Sequence, residues 1–454
     1  MTPALARRSS SRRADSPAHG GEYARRGACP GLSSPMATGD GWLLRLIPVG
    51  TIAPEAFAVL CAAAREHGNG VIEITARGSI QVRGLSAASV PHFVAAVAGL
   101  GIAAQDGVPV LTNALAGVGA GEIMDAGALA ADLRRAFERS DLAERLGAKV
   151  SVTIEGGGAP DLSDIAADVR LSAMATDDGV LLRVGVGGAG ADAAWLGLVS
   201  PARAVEAAIR LMDLVAARGR DARARDVVAA EGVAPFRATL HDLLVAPERA
   251  GEGGDAVAAL DRRGVAGDRF AEAIGMHRLR GGSLACGVGL AFGHAGASSL
   301  QELVDAATAT GASGLRAAPG RALIVIGLTR AAAASCVVAA ERLGFIVRAD
   351  DPRRRVVACA GAPVCTSAHI AARAIAPHVA QAVAALRDPP KTIHISGCAK
   401  GCAHPAPAAL TIVGTASGCA LVADGSARDA PFALAAENEL PAAIADALSG
   451  DRRV

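Results

Sequence analysis

Four cysteines near the C-terminus stand in two tight pairs: Cys359 and Cys365 are separated by AGAPV, Cys398 and Cys402 by AKG. Four thiolates on two short Gly- and Pro-containing turns can hold a tetrahedral metal ion or an iron–sulfur cubane. Zinc prefers C-x2-C knuckles on hairpins, and neither pair has that spacing. Wider loops suit a 4Fe–4S cluster, whose separate irons need separated sulfurs. Zinc and buried unliganded thiols stand as the alternatives. The other cysteines, Cys29, Cys61, Cys286, Cys336 and Cys419, are isolated and read as small buried hydrophobes. Nine is an odd number, and a long chain without a secretory apolar segment is no setting for a disulfide framework.

Lysine gives a second signal. Lys149, Lys391 and Lys400 are the only lysines in a chain with 45 basic residues. Where arginine is so favoured, a lysine can supply a compact or titratable ammonium that a planar fork cannot. Lys400 lies between two candidate ligands, and Lys149 opens the alternating segment KVSVTIE. Lys391 follows two prolines and reads as a loop charge. Gly156–Gly158 follows a strand but runs into Pro160, so it is a poor match to a nucleotide-binding glycine fingerprint.

Positioning these groups takes a large scaffold. At ~150 residues per domain, 454 residues suggest about three domains. The chain is 51% hydrophobic with a net charge of +1, which argues against a nucleic-acid coat or a polybasic membrane surface. Aromatics at 2% leave few stacking side chains for single-stranded nucleic acid. The longest uncharged runs (84–105, 281–301 and 401–423) are broken by Gly, His and small polar residues, so none reads as a membrane span. A cytoplasmic protein is expected. The Arg/Ser-rich start has no apolar stretch behind it and reads as a disordered extension over 1–22.

The chain also carries a faint repeat. Leu44–Leu85 and Gly287–Leu328 both read as strand, turn, Ala-rich helix and two short strands. At a lag of 243 residues Gly50 falls on Gly293 and Gly84 on Gly327, and a helical segment follows each copy. Two such β-α-β-β-α units are expected to pair into one pseudo-symmetric α+β body. Between them, 125–146 and 202–217 read as helices, and 149–155, 169–176 and 179–185 as strands; 218–282 reads as loops.

C-x5-C, a long spacer, then GC-x3-C followed by Pro resembles the cluster motif of sirohaem-dependent sulfite and nitrite reductases. Thr75-Ala76-Arg77-Gly78-Ser79-Ile80-Gln81 resembles their T-x-R-x-x-x-Q signature. HISGCAKGCAHP (394–405), RGACPGL (26–32) and TGDGWLLR (38–45) narrow the resemblance to the precorrin-3B synthase branch, where Lys400 and His404 replace the reductases' usual Asn and Arg. The resemblance spans about 25–422.

It implies an α+β fold of two ferredoxin-like half-domains (23–105 and 283–347), a central α/β domain (106–245), a linker (246–282) and a cluster-binding domain (348–450). It implies O2-dependent hydroxylation of precorrin-3A, with an acetate arm closing to a lactone, in aerobic cobalamin biosynthesis. The eight substrate carboxylates require cations, because buried carboxylates must be paired. Arg77 and Arg83 beside the first copy's strands, and Arg316 and Arg321 in the second, are the expected anchors. Cys359, Cys365, Cys398 and Cys402 are the expected cluster ligands; Lys400, His404 and Lys149 are the expected catalytic groups. A mononuclear non-haem iron is implied as well, with His394, His404, His294 and His369 as candidate ligands. So are NADH-derived electrons from an external reductant, delivered through an electron-donor protein. Two other readings stay open: a sirohaem-dependent reductase, and a non-catalytic tetrapyrrole or electron-transfer module.

Overall fold

A computed structural model describes residues 30–177, 179–245, 272–387, 389–390 and 392–448. The expected extension over 1–22, Cys29, Lys391 and most of the expected linker lie outside these residues.

The described strands form four sheets. The first copy folds as Gly41–Leu46, helix Pro54–His67, Val71–Ile74, Ile80–Leu85 and helix Ser89–Ala98. The second runs Leu284–Gly289, helix Ala297–Ala309, Gly314–Ala318, Ala322–Leu328 and helix Arg330–Arg342. Gly84 and Gly327 both have positive φ (71° and 85°), and at each a Cβ would collide with the preceding turn, at Asn69 and Ser313. Only glycine fits there, which is why this landmark recurs in the sequence.

The copies exchange edges. His294–Gly296 of the second adds to the first sheet beside Val71–Ile74, and Ile52 of the first bridges Leu315 of the second. Their facing helices and strands close one shared core containing Phe57, Leu60, Ile72 and Val82 with Val288, Leu300, Leu303 and Val325. Neither copy buries its apolar face alone. Fully burying each Leu or Phe contributes ~1.5–3 kcal/mol, so the pairing is a large part of the stability of both.

The remaining two sheets repeat each other as well. In the central domain, Val110–Thr112, Val152–Glu155 and Ala167–Thr176 run parallel, followed by antiparallel Gly179–Gly188 and Ala194–Val199. In the C-terminal domain, Val356–Ala358, Ile393–Ser396 and Ala408–Thr415 run parallel, followed by antiparallel Gly418–Gly425 and Ala433–Ala435. A helix joins the first two strands in each, Ala126–Glu138 and Ala372–Ala384. The chain is thus built from two halves, each a half-domain followed by an α/β domain.

The stretch expected to be loops is more ordered than its sequence suggests. It contains helices Ala224–Glu231 and Ala234–Thr239, and strand Gly275–Arg278 lies inside the expected linker. That strand pairs along one edge of Leu284–Gly289, and His277 is its only buried residue, so it carries no apolar alternation. Among the described residues no helix is long and apolar enough to cross a membrane.

Candidate functional site

Parallel α/β sheets bind ligands at the carboxyl ends of their strands. Val356–Ala358 and Ile393–Ser396 are parallel neighbours, and each runs straight into a cysteine loop. Cys359 follows the first, and its N–H donates to Ile395 O (3.1 Å). Gly397 and Cys398 follow the second, and the Gly397 N–H donates to Cys359 Sγ at 3.0 Å. His369 N donates to Gly397 O (2.8 Å) and Cys365 N to Gly361 O (2.9 Å), so the loops hold each other by backbone bonds. The Lys400 ammonium crosses the gap to Ser367 Oγ (2.8 Å).

The four thiols are brought within electrostatic reach of one another. Burial pushes the Cys359 thiol up, and the neighbouring Cys402 and Cys365 add to that push, while N–H donors from Gly397 and Gly361 oppose it. Burial also raises Cys402, helped by Cys398 and Cys365 and opposed by Arg83 and Lys400. Thiols that raise one another in this way gain from a cation that neutralises them together. Among the described residues no three His, Cys, Asp or Glu side chains close tightly on a single metal ion. Four soft sulfur donors on two separated loops, with an amide already aimed at one of them, fit a multinuclear iron–sulfur group.

Beside the second loop sits a set of unsatisfied groups. His394, on strand Ile393–Ser396, is fully buried, and neither ring nitrogen has a partner. Burial, with His404 and Arg321 nearby, lowers its pKa to about 4. The His404 ring meets it edge-on at 5.8 Å, and burial lowers His404 too. Arg321 occupies a left-handed turn (φ 64°), and its guanidinium makes no hydrogen bond or ion pair among the described residues. Among the described residues no third His, Cys, Asp or Glu joins the two imidazoles, so this pair by itself does not fit a mononuclear iron. His294 lies apart from this pair, in the edge strand shared with the first sheet and opposite Glu73; its Nδ1 is orphaned, and burial, with Arg373 nearby, lowers its pKa to about 4. His369 is exposed.

The other expected anchors are engaged with protein. Arg77 donates to Ser151 Oγ (2.9 Å) and Ala166 O (2.6 Å), docking the first half-domain on the central sheet. Buried Arg316 donates to Thr51 Oγ1 (2.9 Å) and to the carbonyls of Ala114 (3.0 Å) and Ala116 (2.8 Å). Both line one cavity of about 260 Å3, together with Arg134, which sequence reasoning did not single out. No Asp or Glu lines that cavity. Arg83 pairs through two bonds with Asp40, and Lys149 sits exposed in the turn before Val152–Glu155. Asp40 was missed as well; its only signal was its place inside the Gly-Asp-Gly turn.

Comparison with known proteins decides the family. Residues 34–100 match the nitrite/sulfite reductase ferredoxin-like half domain. The precorrin-3B synthase of a Sinorhizobium species is 37% identical over 424 residues, covering 93% of this chain and 88% of that protein. The chain belongs to the precorrin-3B synthase family. It is accordingly an oxidoreductase of cobalamin biosynthesis, as the cysteine and TGDG motifs led one to expect. The ferredoxin-dependent sulfite reductase of Mycobacterium tuberculosis is 25% identical over 138 residues, 29% of this chain and 25% of that protein. The solved structure of the Mycobacterium tuberculosis NirA protein superposes with a TM-score of 0.67 at 19% identity, covering 89% of this chain and 79% of that one. This chain therefore shares the α+β fold of that protein.

Proposed function

We propose that this precorrin-3B synthase homologue hydroxylates precorrin-3A with O2, closing the lactone, and that Cys359, Cys365, Cys398 and Cys402 hold a 4Fe–4S cluster. The observation that carries the reading is the convergence of the four thiols at the ends of two parallel strands. Bound there, the cluster would supply the one-electron chemistry that side chains lack. Exposed Cys402 leaves an edge open to an electron-donor protein carrying NADH-derived electrons. Nine cysteines, none in a disulfide among the described residues, suit the cytoplasm.

The substrate's carboxylates need cations to pair with. Half-buried Arg321, whose guanidinium has no hydrogen bond or ion pair among the described residues, offers one, and Arg77 and Arg316 line one cavity. Arg321 thus anchors one arm near the cysteine loops, and Arg77 and Arg316 receive others. The Lys400 ammonium stabilises negative charge developing on oxygen, as a positioned cation does. His404, held neutral by burial, is set to donate or accept a proton once a neighbouring charge changes. Lys149 on its exposed turn meets the substrate edge.

The test is an anaerobic preparation assayed for iron, sulfide and absorption, then supplied with precorrin-3A and O2. The reading requires about four irons and four sulfides per chain and O2 uptake with hydroxylated product. A sirohaem spectrum would assign a reductase instead. An intact cluster without O2 uptake would assign a non-catalytic module.

A further inference from the structure

The Thr38–Gly41 turn has no part in the chemistry above, yet it is packed onto the cysteine loops from another domain. It joins strands Met36–Thr38 and Gly41–Leu46 of the first half-domain. A Cβ on Gly39 would overlap Cys365 Sγ, so only glycine allows the turn to lie against that sulfur. Gly39 O accepts from Thr366 N (2.9 Å) and Thr366 Oγ1 (3.2 Å), the residue after the cysteine. These contacts join positions 327 residues apart.

Asp40, the next residue, locks the turn to the strand behind it. Its carboxylate is fully buried and takes both prongs of Arg83 (Nε–Oδ2 2.8 Å, Nη2–Oδ1 2.7 Å) and the Thr38 hydroxyl (2.8 Å). Arg83 also faces Glu73 at 3.7 Å, and Glu73 pairs with Arg373 at the start of the helix that follows the first cysteine loop. The Arg83 fork is therefore fixed behind the turn, held by Asp40 on one side and Glu73 on the other. A half-buried, bidentate guanidinium that cannot deprotonate is a durable clamp for a buried carboxylate.

We propose that the Thr38-Gly39-Asp40-Gly41 turn caps the cysteine cluster and that Arg83, clamped on Asp40 and Glu73, is the positioning residue that holds this cap against the Cys365 loop. The proposal rests on the cluster reading above. It moves Arg83 from the substrate anchors to the support of the cap. The cap shields the Cys365 side from solvent and chelators.

The test uses the full chain purified anaerobically, with iron and sulfide measured first on the parent. A parent without the cluster defeats the cluster reading itself, before any variant is compared. In Gly39→Ala, iron release to a ferrous chelator should accelerate by about 10–100-fold, the scale of lost outer contacts around a metal. Arg83→Gln frees Asp40 from its clamp and should accelerate release more weakly, and Arg83→Lys should recover part of that loss. Asp40→Asn keeps the turn's volume and should also accelerate release, so it serves if Gly39→Ala does not fold. Parent-like iron release in Arg83→Gln overturns the clamping role. Parent-like iron release in Gly39→Ala, or in Asp40→Asn where Gly39→Ala does not fold, overturns the cap.

Discussion

The two α/β domains present the same pair of loops and use them differently. Asn113 follows the first strand of the central sheet as Cys359 follows the first strand of the C-terminal sheet; Gly156 and Gly397 follow the second strands. Gly156 N donates to Asn113 Oδ1 at 3.0 Å, and Gly397 N donates to Cys359 Sγ at 3.0 Å. The fold aims an amide at this position in both halves. With asparagine there, the side chain spends its other end on Pro160 O (3.0 Å), and Ile123 N and Met124 N close the loops onto Gly156 O. With cysteine there, the same amide meets a sulfur that can become a charged ligand. One residue type separates an internal staple from a candidate metal ligand.

The strongest way to break this comparison is to exchange the two residues. Cys359→Asn should abolish iron and sulfide binding and lower the yield of folded chain, because a cluster that ties two loops contributes its binding energy to folding. Asn113→Cys should gain no iron, since the loops of 113–125 and 156–166 contain no other cysteine. Iron analysis of the two variants beside the parent decides it. Retention of iron by Cys359→Asn would remove Cys359 from the ligand set.

The staple itself comes next. Asn113 is buried and bonded at both ends, so Asn113→Ala leaves an N–H and a carbonyl unpaired, at a cost of ~2–4 kcal/mol. Urea unfolding should show that loss with iron content unchanged. Arg77→Ala should weaken precorrin binding by about 2–4 kcal/mol if it strands a buried carboxylate, with the cluster spectrum intact. Equal affinity would leave Arg77 as a tie between the first half-domain and the central sheet.

How much of this was legible in the sequence follows from where residue type is forced. Gly84 and Gly327 recur because only glycine fits those turns, so the half-domain repeat could be read. The α/β duplication could not, because its strands are almost wholly buried and offer no alternation or landmark: VTIE and IHIS share no residue at matching positions except Ile. Strand Gly275–Arg278 was hidden because an edge strand with one buried residue lacks alternation. Cysteines announce themselves by type and spacing. Arginines do not, and Arg83 reads as a free anchor until Asp40, 43 positions earlier, is found in its fork. Arg321 is the reverse case, since its lack of a partner is a fact only of the folded chain.

A smaller effect separates the halves by pH. His394 on the second strand of the C-terminal sheet has Thr153 as its counterpart in the central sheet, which does not titrate. Burial holds His394 near 4 in the folded chain, well below the unfolded value of about 6.5. The unfolded state therefore binds its proton first as pH falls. Stability from neutral His394 is full above pH ~6.5 and is lost as pH drops toward 4, by ~3 kcal/mol at most. His394→Leu should flatten the slope of unfolding free energy between pH 6.5 and 4.5; an unchanged slope would mean that the imidazole finds a proton acceptor on folding.

The smallest change concerns the bridge between the cysteine loops. Backbone bonds close the loops in both domains, and in the C-terminal domain an exposed Lys400 adds a side-chain reach to Ser367. An exposed side-chain bond contributes little, so Lys400→Met should alter unfolding free energy by no more than ~0.5 kcal/mol. The cluster spectrum should persist. Product formation under O2 should nonetheless fall, because the ammonium beside the loop is then missing when oxygen gains negative charge. Holding stability and spectrum constant separates the two roles of this lysine. A fall in turnover alone assigns it to the chemistry, and parent-like turnover reduces it to a loop tie of the kind that Asn113 and backbone bonds supply in the other half.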